Sequence, residues 1–159
     1  MEKFTKSLRY CALVALGLAL CSFCTFKLFL EEAAYLEQKL VEHYDLDQES
    51  PEVLHFELKV TNTGFCRYKR YFANGKIEYF SFNSAKFKNL DYSGTPESGR
   101  LFLRTISDDV IVQTFNDRNG DIDSMATFLA IPQKDMGSAD LKNLAEMFQR
   151  LHLKLQQPQ

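Results

Sequence analysis

The chain has 159 residues, 19 of them basic and 21 acidic, for a formal charge of −2, with four cysteines and no tryptophan. That near balance leaves no electrostatic footprint for nucleic acid. Once an apolar N-terminal stretch is set aside, the length has room for one ordinary domain rather than two.

Residues 1–9 form a basic N-terminus through Lys3, Lys6 and Arg9, and residues 10–26, YCALVALGLALCSFCTF, are uncharged. Those 17 residues make about 26 Å of helix, just short of the ~30 Å hydrocarbon core of a bilayer. Extension through Leu28, Phe29 and Leu30, with the Lys27 ammonium reaching back to the headgroups, makes residues 10–30 long enough to span it. The sequence therefore predicts a single-pass anchor at 10–30, held in the lipid bilayer. Basic residues before the span and Glu31 and Glu32 after it put the N-terminus in the cytoplasm. The C-terminal domain is then extracytoplasmic, in the periplasm if the source is bacterial. A cleaved signal peptide and a secreted product form the alternative, but no A-x-A cleavage pattern is present. Bacterial lipoboxes place a small residue before the modified cysteine, whereas Leu20 precedes Cys21 and Phe23 precedes Cys24.

Beyond residue 26 there are 16 basic and 20 acidic side chains, a charge of −4. Cys11, Cys21 and Cys24 lie in the apolar stretch, so Cys66 has no partner for an internal disulfide and reads as a small buried hydrophobe. Residues 31–46 are predicted as an amphipathic helix continuing the anchor. Phe29, Ala33, Leu36, Leu40 and Tyr44 recur at helical spacing, while Glu31, Glu32, Glu37, Lys39 and Glu42 fall elsewhere. Its stripe is expected to pack on the sheet that follows, and the run DLDQESPE at 45–52 ends it with turn residues and a proline.

Residues 53–132 read as an antiparallel β meander of six to seven strands, with the sheet free to curl. Leu54, Phe56, Leu58 and Val60 alternate with His55, Glu57 and Lys59, giving one buried and one solvated face. FCRYKRYF and IEYFSF flank Asn74-Gly75, the pair that suits a tight hairpin. The segment 83–99 is looser, with room for one short strand, and 101–106, 110–115 and 122–131 complete the series. Residues 138–156 are predicted as a C-terminal helix capped by Ser138, with Leu141, Leu144, Phe148, Leu151 and Leu155 on its core side. Short connections and two helices with apolar stripes make this an α+β domain.

Asp117, Asn119, Asp121 and Asp123 alternate in the manner of oxygen ligands and resemble the first half of an EF-hand or dockerin loop. Ile122 stands where that loop has glycine and Phe128 where it has its bidentate carboxylate, so a polar hairpin turn is the reading and no metal site is assigned. YFANGKIEY resembles the hairpin of MORN-type repeats, in a single copy. His43, His55 and His152 have no metal-ligand spacing, and nucleophile elbows and Gly-rich phosphate loops are missing.

The densest cluster of chemistry lies in one hairpin: Arg67, Tyr68, Lys69, Arg70, Tyr71, Tyr79, Phe80 and Phe82. Aromatics occupy both strand phases there, so one set can stay exposed after the other is buried, forming a face for a protein partner or small ligand. The expectation is a non-enzymatic, membrane-anchored binding domain without a cofactor. The alternative is a structural or assembly subunit of an envelope membrane complex that uses its N-terminal helix as the interaction surface.

Overall fold

The computed structural model describes residues 31–157. The basic N-terminus and the anchor expected at 10–30 lie outside the described residues. No described helix is long and apolar enough to cross a membrane.

The chain folds as an α+β unit: a short helix, α1 (31–42), eight antiparallel strands in two sheets, and a C-terminal helix, α2 (Ser138–Leu155). The strands are β1 (Val53–Val60), β2 (Phe65–Phe72), β3 (Ile77–Asn83), β4 (Phe87–Gly94), β5 (Ser98–Thr105), β6 (Val110–Phe115), β7 (Asp123–Ala126) and β8 (Phe128–Lys134). One sheet has the order β1-β2-β3-β6-β7 and the other β4-β5-β8.

The two sheets are one meander folded over. β3 runs on into β4, β5 into β6 and β7 into β8, so the last three rows cross a corner from one sheet to the other. At the first corner Asn83 accepts the Ala85 N–H at 2.9 Å and caps a 3-10 turn, Ser84–Lys86. At the second, the Thr105 hydroxyl donates to the Ser107 carbonyl at 2.7 Å. At the third, Thr127 steps out of the ladder while its carbonyl accepts the Thr105 N–H at 2.9 Å. These corners account for eight strands where the sequence suggested six or seven. The segment 83–99 holds a full strand, β4, because β5 supplies a partner along its length. The single run expected at 122–131 is divided by the bend.

A single core fills the fold. α1 contributes Ala33, Leu36 and Leu40, the strands contribute Leu58, Val60, Cys66, Tyr68, Phe82, Phe87, Leu101, Leu103, Leu129 and Ile131, and α2 contributes Leu144, Phe148 and Leu151. Phe148 stacks on Phe87 at 5.1 Å and lies 6.5 Å from Phe82, which seats α2 over the first corner. Each fully buried Leu or Phe contributes about 1.5–3 kcal/mol. α2 begins at Ser138, with Gly137 in the capping position and no side-chain cap, so the predicted Ser138 cap is displaced by one residue.

α1 ends earlier than its apolar stripe suggests. After residue 42 the backbone joins the edge of β8: the Lys134 N–H donates to the His43 carbonyl at 2.7 Å, the Asp45 N–H donates to Pro132, and Tyr44 forms a bridge with Gln133. Tyr44 therefore keeps its predicted burial but is extended, and its ring stacks on Phe56 of β1 at 3.6 Å. One residue links the two ends of the meander. The Asn74-Gly75 hairpin forms as expected, but only Gly75 takes a positive φ, +86°, so the loop is a longer type with Gly at the left-handed position.

Candidate functional site

Strand alternation divides the eight predicted site residues into two sets of four. Cross-strand pairs Cys66↔Phe82, Tyr68↔Phe80 and Arg70↔Glu78 point to the core side, whereas Arg67↔Ser81, Lys69↔Tyr79 and Tyr71↔Ile77 point away from it. Tyr68 and Phe82 are each only 1% exposed and present nothing to solvent. Arg67, Lys69, Tyr71 and Tyr79 share the outer face.

The outer face continues across the sheet in three rows. Tyr71, Ile77 and Phe115 form one; Lys69, Tyr79, Gln113 and Asp123 the next; Arg67, Ser81, Ile111 and Met125 the third. β1 adds His55, Glu57 and Lys59 along one margin. Both helices bury their apolar stripes in the core on the opposite side, and Phe115 and Met125 are 45% and 53% exposed. The face is apolar in the middle and charged at the margins. The Lys69 ammonium lies 5.9 Å from the centre of the Tyr79 ring and 3.6 Å from Glu57, the Arg67 guanidinium sits over Phe65 at 5.5 Å, and the Gln113 amide donates to Asp123 at 3.2 Å. Ile111, Gln113, Phe115, Asp123 and Met125 escaped the sequence reading because they lie some 30 residues or more along the chain from the hairpin. Their period-2 alternation was visible, but the β3–β6 register that brings them beside Tyr79 was not.

The inward set builds a different structure. Tyr68 donates to Glu49 Oε1 at 2.6 Å, Tyr44 reaches the same oxygen at 2.8 Å, and the two hydroxyls are 2.7 Å apart. Arg70 Nη1 donates to Glu49 Oε2 at 2.9 Å, and its Nη2 pairs with Glu78, which also holds Lys76 at 2.8 Å. The Glu49 side chain is 3% exposed. Burial alone would raise its pKa, but the Tyr68 hydroxyl, the Arg70 charge and the Tyr44 hydroxyl outweigh it and hold the carboxyl below its ordinary range. Burial pushes both phenols far above the usual tyrosine range. The cluster is thus a fixed, ionised tie between the 43–49 segment and β2, with its hydrogen-bonding capacity turned inward.

The hairpin at 116–122 uses its acidic groups on its own backbone: Asp117 accepts the Asn119 N–H and Asp121 accepts the Asp117 N–H, both at 2.9 Å. Among the described residues no three His, Cys, Asp or Glu side chains converge as metal ligands. His43 and His152 each place Nδ1 near a backbone carbonyl, of Lys134 and Ser84 respectively.

A groove of about 720 Å³ separates the outer flank of α1, with Ala34, Gln38 and Val41, from the end of β1 at Lys59 and Val60. Glu37 forms part of its wall: one carboxylate oxygen accepts the Val60 N–H at the sheet edge and the other binds Lys59, each at 3.0 Å. Protein-family models, curated proteins and solved structures were all compared with the chain, and none matches it.

Proposed function

We propose that this chain is a membrane-anchored, extracytoplasmic domain of non-enzymatic character that binds a protein or ligand through the outer face of its five-stranded sheet. The observation that carries the reading is the face turned away from both helices among the described residues: half-buried Tyr71, Ile77, Tyr79 and Ile111 stand in adjacent rows with exposed Phe115 and Met125. An apolar, partly exposed centre with a polar margin is the anatomy of an interaction surface. The bilayer attachment rests on the uncharged stretch 10–26 and its basic flank.

A photo-crosslinking phenylalanine analogue placed at Tyr79 in cells tests this reading, with the same analogue at Arg100, on the other sheet, as the control. Adducts should form at position 79 and not at 100, and the protein should remain in the membrane pellet after alkaline extraction. Equal yields at the two positions, or none at 79, would overturn the binding face; recovery in the soluble fraction would overturn the anchor.

The α1–β1 groove favours a second reading, an assembly subunit whose N-terminal helix is its interaction surface. In that case the analogue at Gln38, on the flank of α1, gives the dominant adduct and position 79 gives none.

A further inference from the structure

Building on the binding face proposed above, we infer that its occupant is a second copy of this chain, packed face to face about a two-fold axis that runs along the strands between β3 and β6. Such an axis sets each strand against its mirror position across the sheet: β3 over the partner's β6, and β2 over the partner's β7. The registered rows then meet in kind. Lys69 at one margin faces Asp123 at the other, twice per dimer by symmetry. In the centre, Tyr79 faces the Gln113 amide and Ile77 faces Phe115. Ser81, the smallest side chain of the face and 1% exposed, faces Ile111. Arg67 lies over Met125.

The charge arrangement singles out this occupant. On this face β1 and β2 carry the cations Lys59, Arg67 and Lys69 against one anion, Glu57, 3.6 Å from Lys69, whereas β7 carries the anion Asp123, so a net positive margin and a negative one lie on opposite sides of a neutral centre. A two-fold along the strands converts that separation into attraction at both margins. Aligned packing of two antiparallel faces is the geometry of a β-sandwich, with the sheets about 10 Å apart.

Four strands at about 4.8 Å spacing and three rows of side chains cover on the order of 400 Å² per copy. That is about half the roughly 800 Å² per partner of a stable interface. The dimer is therefore weak in dilute solution and populated where both copies share one membrane, which raises their effective concentration.

The test uses the full-length chain with Cys11→Ser, Cys21→Ser and Cys24→Ser, leaving Cys66, which is fully buried. Lys69→Cys and Asp123→Cys are introduced into separately tagged copies and co-expressed in one membrane. A short bismaleimide should join position 69 of one copy to 123 of the other. It should not join 69 to 69, because three strand spacings, about 14 Å, add to the gap between sheets. In parallel, fluorescence-detected sedimentation of the chain in detergent compares Lys69→Glu, Asp123→Lys and the double reversal. Either single reversal should weaken self-association about tenfold or more, and the double should recover most of it. A monomer at every concentration with no 69–123 product overturns the dimer, and so does equal linking of 69 to 69. If position 69 is instead captured by a different protein, the dimer is overturned while the binding face stands. If neither position is captured by anything, both fall.

Discussion

Replacement of Glu49 gives the sharpest measure of how the 43–49 segment is held. The carboxylate accepts from Tyr68 at 2.6 Å, Tyr44 at 2.8 Å and Arg70 at 2.9 Å while its side chain is 3% exposed. A hydrogen bond to a charged group is worth roughly 1.5–3 kcal/mol, but the three do not simply add. After truncation Arg70 keeps Glu78, and the two hydroxyls keep each other. Glu49→Ala should therefore cost about 3–5 kcal/mol, the range for breaking one side of a buried charge pair. Glu49→Gln, which keeps the shape and one acceptor oxygen, should cost about 2 kcal/mol. The pH dependence has a definite sign. Because the folded carboxyl titrates below its unfolded value, the stabilisation is complete above the unfolded pKa, about 4.3, and is lost as pH falls through the folded one. Urea unfolding followed by circular dichroism between pH 7 and 3 should give a gap between wild type and Glu49→Gln that narrows toward the acid end. A loss under about 1 kcal/mol for Glu49→Ala, or a gap independent of pH, would refute the role of the cluster as an ionised tie.

Three further substitutions probe the edge and the backbone at two glycines. Glu37→Ala should cost about 1 kcal/mol by freeing the Val60 N–H. It should also raise concentration-dependent light scattering, because the β1 edge loses the carboxylate that blunts it; unchanged unfolding and scattering would refute that capping role. Gly94→Ala should be severely destabilising, by about 3 kcal/mol or more, since its φ of +142° excludes a side chain and a Cβ would collide with the Gly99 backbone. Gly75→Ala, at φ +86° with open space around it, should cost only about 1–2 kcal/mol. Thermal unfolding of the pair checks the order, and equal losses would contradict it.

Much of the local structure was legible because period and burial coincide. Leu36 and Leu40 on α1, and Leu144, Phe148 and Leu151 on α2, recur at helical spacing and all reach the core. In β1 the alternation held for Phe56, Leu58 and Val60 against Glu57 and Lys59, but Leu54, expected on the buried face, is 69% exposed because an irregularity in the ladder between Val53 and His55 puts Val53 inside instead; Asn74-Gly75 marked the β2–β3 hairpin. The outer face of the β2–β3 hairpin was half legible. FCRYKRYF announces aromatics in both phases, but which phase meets solvent depends on the side from which the helices cover the sheet. Tyr68, Arg70, Phe80 and Phe82 went inward and Arg67, Lys69, Tyr71 and Tyr79 outward for that reason. The Tyr44–Tyr68–Glu49–Arg70 cluster was not legible, since it joins positions 5 to 24 residues apart through contacts that no local period encodes.

The sequence alone determined the elements whose signal is local: two amphipathic helices, strands with in-and-out faces, and a single cysteine beyond residue 26 suited to burial. Only the tertiary structure decided that the meander folds at three corners into two sheets and that Tyr44 leaves its helix to join the two ends. Only it brought Ile111, Phe115 and Met125 beside Tyr79 on an open face. The physical reason is common to all three. Each outcome depends on strand register and on competition between distant partners for the same hydrogen-bonding edge, and those energies belong to pairs of segments rather than to either segment's own sequence.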